Sequence, residues 1–94
     1  MEVQLEQNEK KGKAFIDKDG KTLAEMTFSM AGTKQLIIDH TEVSDELRGM
    51  GAGRQLLQKI VDMAREESLK IIPLCPYAKS VFDKDDSIQD VLRQ

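Results

Sequence analysis

Between residues 48 and 54 the chain reads Arg48-Gly49-Met50-Gly51-Ala52-Gly53-Arg54, three glycines in five positions with an arginine at either end. A glycine in or beside a helix gives up about 0.5–1 kcal/mol relative to alanine, so Gly49, Gly51 and Gly53 together forgo ~2–3 kcal/mol. In a small domain that sum calls for a reason. The usual one is a run of exposed backbone N–H groups at a helix N-terminus, where unpaired donors and the helix dipole hold a phosphate. Arg48 and Arg54 would add charge-assisted hydrogen bonds. The plain alternative is a strand-to-helix connector whose glycines allow close packing. Two sharper phosphate motifs are poor fits. A P-loop needs a Lys and a Ser/Thr that are missing here. In a dinucleotide fingerprint the third glycine would fall where Arg54 stands, and the preceding strand belongs to a meander.

Two further side chains have reactive chemistry. His40 is the one histidine, the residue type suited to proton transfer at neutral pH. Its spacing from Leu36 and Ile38 predicts that it shares their strand face and is partly buried, either as a hydrogen-bonded core residue or as a catalytic group. Cys75, the one cysteine, is either a nucleophile lining a site or a small buried hydrophobe. If the two meet across adjacent strand ends, His40 would take the thiol proton and permit an acyl-enzyme.

The elements that must position these groups change period at mid-chain. Val3 and Leu5 alternate with polar neighbours as in a short edge strand, followed by a Gln7–Gly12 turn. Ala14, Phe15 and Ile16 lead into Asp19-Gly20, a strong signal for a type I′ hairpin. From Leu23 to Met30, Ala24, Met26, Phe28 and Met30 face one way and Glu25, Thr27 and Ser29 the other. Gln35 to Val43 makes a fourth strand. From Gly51 to about Ser68, Leu56, Leu57, Ile60, Val61 and Ala64 recur at helical spacing. Lys70 to Cys75 reads as a short buried strand, Ala78 to Asp83 as a helix, and Ser87 to Gln94 as a last weak helix with Ile88, Val91 and Leu92 inward. The order β-β-β-β-α-β-α predicts an α+β fold: one mixed, mostly antiparallel sheet, a main helix packed on it and short C-terminal helices.

Composition narrows the function classes. The 94 residues make room for one domain, 1–94, burying roughly 60–65% of the surface the unfolded chain exposes. A single cysteine rules out an internal disulfide, and one His with one Cys gives no metal-ligand spacing. The net charge of −3 and scattered lysines argue against a nucleic-acid partner. No apolar run approaches a membrane span, and the Met-Glu-Val-Gln start lacks a signal-peptide pattern, so the expectation is a cytoplasmic protein with no membrane partner. Oligomeric state is not readable.

The stretch Val43-Ser44-Asp45-Glu46-Leu47-Arg48-Gly49-Met50-Gly51-Ala52-Gly53-Arg54-Gln55-Leu56-Leu57 resembles the acetyl-CoA segment of the GNAT superfamily of N-acetyltransferases. That segment reads Arg/Gln-x-x-Gly-x-Gly/Ala between a strand and a helix, matched here by Arg48, Gly51 and Gly53. The order of elements agrees from Leu36 to about Phe82. The Asp39-His40-Thr41 and Pro73-Leu74-Cys75-Pro76-Tyr77 pieces look like a minimal GNAT-like subfamily with a cysteine near the acetyl-CoA site. The resemblance implies a GNAT-like fold that binds acetyl-CoA and moves its acetyl group to an unidentified amine, on a small molecule or a protein. It implies that Arg48, Gly49, Met50, Gly51, Ala52, Gly53 and Arg54 wrap the pyrophosphate. The backbone of Thr41, Glu42 and Val43 would pair with the pantetheine arm as an added strand.

Acyl transfer to an amine needs a donor to the thioester oxygen, a base for the amine and an acid for the thiolate. A backbone N–H near Thr41 to Val43 is the family's donor. His40, Glu42, Cys75 and Tyr77 are the candidates for the rest, with Tyr77 the acid by family analogy or else a ring covering the core. Lys79 and Phe82 are candidates for CoA phosphate and adenine, or a solvated lysine and a core phenylalanine. Full-size members carry two helices between the first two strands, for which this chain has no room. The acceptor side is therefore expected to be open or supplied by a partner, and a non-catalytic acyl-CoA-binding module, a sensor or carrier, is the alternative function.

Overall fold

The computed structural model describes all residues, 1–94. Five strands form one sheet in the order β1-β2-β3-β4-β5. They are β1 (Gln4–Gln7), β2 (Lys11–Lys18), β3 (Lys21–Ala31), β4 (Gln35–Val43) and β5 (Lys70–Pro73). The first four are antiparallel neighbours, and β5 joins β4 in parallel after a helical crossover. Asp19 (φ 52°) and Gly20 (φ 79°) close the β2–β3 hairpin in the left-handed conformation that a type I′ turn needs. The turn before β2 is shorter than the sequence suggests. Gly12 lies inside β2, opposite Gln7 and Phe28, and only glycine fits there, since a Cβ would sit 2.5 Å from the Phe28 ring.

Helix α1 (Ala52–Glu66) lays its apolar stripe across the sheet. Leu56, Leu57, Ile60, Val61 and Ala64 are fully buried against Ala14, Met26, Phe28, Leu36 and Ile38. The strand alternation places Ala24, Met26 and Phe28 in this core, with Met30 packed at its margin. Helix α2 (Pro76–Lys84) follows β5, and a 3₁₀ segment (Asp86–Val91) closes the chain on α1 and α2. Two boundaries differ from the sequence reading. Strand β5 stops at Pro73 and Cys75 caps α2, because Pro76 at the first helical position cannot extend a strand ladder but suits a helix start. The tail is 3₁₀ rather than α-helical, and it ends by pairing Leu92 with Ile71. One face of the sheet is covered by the helices. No helix is long and apolar enough to cross a membrane.

Candidate functional site

The glycine loop is built from its anchors inward. Ser44 caps a 3₁₀ turn over Asp45–Leu47 by accepting the Glu46 N–H, and buried Leu47 pins the turn to the core. The Arg48 and Met50 amides then bond back to Asp45 and Leu47. Gly49 (φ 77°) and Gly51 (φ 72°) take the left-handed conformation, with nothing within 4 Å of where a Cβ would stand. Backbone shape, not space, demands glycine at these two positions. Gly53 is the reverse case: it is helical, but a Cβ would lie 2.9 Å from the Tyr77 ring. The amides of Gly49, Gly51, Ala52, Gly53 and Arg54 make no hydrogen bond within the protein. They form a cluster of free donors at the positive end of α1.

Beside this loop, β4 and β5 part. Their pairing runs from Gln35–Lys70 to Ile38–Pro73, and the last link is the Cys75 N–H on the Ile38 carbonyl, 3.0 Å. From Asp39 to Val43, β4 keeps β3 on one side and has no strand on the other. A β-bulge falls at the start of this free edge. Thr27 pairs with His40 and Phe28 with Ile38, so Asp39 is left unpaired, its carboxylate accepting the Ser29 hydroxyl at 2.6 Å. The extra residue inverts the alternation that follows.

That inversion corrects the expectation for His40. It does not share the buried face of Leu36 and Ile38. Its side chain is 62% exposed on the opposite face, Nε2 3.3 Å from Glu42 Oε2. Thr41 takes the core side instead, and its hydroxyl meets the buried Cys75 sulfur at 3.0 Å. His40 and Cys75 therefore flank the β4 edge from opposite faces and do not form a pair.

Around the first turn of α1, the ring of Tyr77 lies against Gly53. Burial pushes the Tyr77 hydroxyl's pKa up, with Arg54 opposing and Cys75 adding to the rise. Arg54 reaches Asp85 (Nη2 to Oδ2, 2.7 Å), and its Nη1 is the one buried side-chain polar atom without a partner. The Ser87 hydroxyl, then Arg54 and the Ser87 N–H, hold the Asp85 carboxyl down at about 2. Arg48 is exposed and paired with Asp45 at 2.8 Å, and Met50 is exposed at the loop's tip. Two further candidates lie on α2. Phe82 is 3% exposed and part of the core, the second of the two readings that the sequence left open for it. Lys79 pairs with Asp83 on the outer surface of α2. Sequence reasoning missed Asp85: its Asp-x-Ser capping pattern was legible, but nothing local tells of Arg54, 31 residues away. It also missed the Thr41 side chain, whose orientation depends on the bulge.

The family model described as GCN5-related N-acetyl-transferase matches residues 13–91. The chain belongs to this family of GCN5-related acetyltransferases (GNAT). Among solved structures, a GCN5-like protein from Staphylococcus aureus is 43% identical, covering 96% of this chain and 87% of its own, at a TM-score of 0.72. An acetyltransferase from Bacillus cereus ATCC 14579 is 27% identical over 73% of this chain and 47% of its own, TM-score 0.59. The ribosomal-protein-alanine N-acetyltransferase of Brucella melitensis biovar Abortus 2308 shares the fold at 23% identity, over 73% of this chain and 50% of its own, TM-score 0.61. This GNAT domain thus spans about half the length of the two larger enzymes. Among curated proteins none matches the sequence.

Proposed function

We propose that this protein transfers an acetyl group from acetyl-CoA to an amine, binding the CoA diphosphate at the N-terminus of α1. The observation that carries the reading is the set of free amides at Gly49, Gly51, Ala52, Gly53 and Arg54, beside an arginine with a buried, unpartnered Nη1. Buried or clustered donors left unpaired are unfavourable unless an anion meets them. The thioester of acetyl-CoA would supply an activated acyl carbon. The free backbone edge of Thr41, Glu42 and Val43 offers ladder hydrogen bonds to an extended pantetheine chain. Cys75 and Tyr77 stand at the same opening, and Tyr77, a phenol protonated at neutral pH, is the candidate to give a proton to a leaving thiolate. With His40 on the other face, Cys75 has no base to activate it, and transfer goes directly to the amine rather than through the thiol.

Titration of the isotope-labelled protein with acetyl-CoA tests this. Backbone amide shifts are expected to be largest over Gly49–Arg54 and smaller at Thr41–Val43 and Cys75. Unmoved loop amides at millimolar acetyl-CoA would remove the reading. The second reading, a non-catalytic acyl-CoA-binding module, draws on the sheet face left without helices. Steady release of CoA in the presence of an amine separates the two.

A further inference from the structure

Where β4 and β5 part, side chains from the two sides of the opening touch. The last backbone link between them is the Cys75 N–H on the Ile38 carbonyl, which closes one end of the opening. Beyond that link, Thr41 Oγ1 from the free edge of β4 and Cys75 Sγ from the cap of α2 are 3.0 Å apart. At this separation hydroxyl and thiol share a hydrogen, and no atom fits between them. Thr41 is half-buried, while Cys75 is buried in the same core cluster as Ile38, Ala52 and Ala78. The sulfur therefore has no inward retreat that does not displace packed atoms. Apart from Met1, the large apolar side chains left exposed are Val43, Met50, Leu74 and Tyr77. All four belong to the glycine loop or to the segments that border this opening, so an apolar chain entering it meets apolar surface.

We infer that the Thr41–Cys75 pair sets the length of the acyl group, closing the core side of the opening to any thioester longer than acetyl. This rests on the acetyl-CoA reading above and adds which thioesters the site takes. The direction of the arm follows from the order of the chain. The glycine loop comes after the Val43 end of β4, so an arm that starts at a diphosphate there runs back past Val43, Glu42 and Thr41. Its thioester arrives at the closed end, between the Thr41–Cys75 contact and the Ile38 link. A methyl group ends at that contact. A longer chain must part the pair, leaving a hydroxyl and a buried thiol without partners, and must find room in a close-packed interior. One surplus methylene in such a pocket costs about 10–200-fold. The two residues lie 34 positions apart, and they meet because the bulge at Asp39 turns Thr41 to the core side.

Calorimetric titration of the whole protein with CoA, acetyl-CoA, propionyl-CoA and butyryl-CoA tests this without an acceptor amine. The wild type is expected to bind acetyl-CoA at least as tightly as CoA, and butyryl-CoA roughly 10-fold or more weakly than acetyl-CoA, with propionyl-CoA between. Cys75→Ala and Thr41→Ala each open space at the contact and are expected to remove most of that difference. Thr41→Ser retains the hydroxyl and is expected to keep most of it. Each comparison is made within one variant, so a general loss of affinity cancels, and either alanine variant suffices if the other does not fold. Equal wild-type affinity for acetyl-CoA and butyryl-CoA overturns the inference, because the acyl chain then leaves over the helix-free face. Discrimination that survives both alanine substitutions also overturns it, since the limiting wall lies elsewhere. Both results leave acetyl-CoA bound and the prior reading standing. If acetyl-CoA and the other thioesters all fail to bind, the prior reading falls and this inference falls with it.

Discussion

Replacing Gly53 with alanine separates the two ways in which the loop uses glycine. A methyl group at residue 53 would stand 2.9 Å from Tyr77 Cζ and 3.0 Å from both Cε2 and the hydroxyl oxygen. Carbon contacts are comfortable from about 3.5 to 4.0 Å, so the tip of the ring must retreat by ~0.5–1 Å. Alanine meanwhile favours the helix by about 0.5–1 kcal/mol over glycine. Tyr77 is 37% exposed and its hydroxyl makes no hydrogen bond within the protein, so the ring can swing outward at little expense. Stability is therefore expected to stay within about 1 kcal/mol of wild type, a Tm change of no more than ~4–8 °C for a domain of this size. Function is expected to respond far more, since misplacing a reacting group by ~1 Å costs up to about 10²-fold. The assay pairs thermal melts with CoA-release kinetics and amide spectra. The control is Gly51→Ala, where nothing lies nearby but φ is 72°. There the left-handed backbone costs about 1–2 kcal/mol, so stability falls first. Tyr77 resonances that stay put in Gly53→Ala, together with wild-type turnover, would refute the argument.

Three more outcomes are expected. Tyr77→Phe should lower turnover by about 10²-fold and leave acetyl-CoA affinity nearly unchanged in calorimetry; an equal loss of both would assign the ring to binding instead. Cys75→Ala should retain turnover within roughly 10-fold, because the thiol has no base beside it; abolished transfer, with an acetylated wild-type protein seen by mass spectrometry, would restore the acyl-enzyme. Asp85 has its pKa lowered from 3.8 to about 2, so its contribution to stability is present above about pH 4 and is lost as pH falls toward 2. Asp85→Asn should accordingly flatten the acid limb of Tm against pH across that window, and an unchanged limb would contradict the pairing.

Much of the fold was legible because its signals are local. The Asp19-Gly20 turn, the alternation from Ala24 to Phe28 and the apolar stripe from Leu56 to Ala64 each follow from neighbours in the chain, and each appears where the sequence places it. The Arg48 to Arg54 segment also announced a helix N-terminus with exposed amides, since only glycine reaches the left-handed backbone of residues 49 and 51 without strain. Element ends were less legible. Residue 12 is a strand residue that must be glycine because Phe28 leaves no room for a Cβ, and nothing near Gly12 in sequence reports that.

The elements, the glycine loop and the family can be read from residue order alone, because periodicity, turn chemistry and motif spacing are short-range properties. Tertiary structure decided which reactive groups meet. Strict alternation put His40 with Ile38, but a bulge is a property of two strands paired together, and one unpaired Asp39 exchanged His40 for Thr41 beside Cys75. In the same way, Tyr77 on Gly53 and Asp85 on Arg54 join residues 24 and 31 positions apart. Such contacts depend on how α2 and the closing 3₁₀ segment pack against α1, which local propensity does not encode.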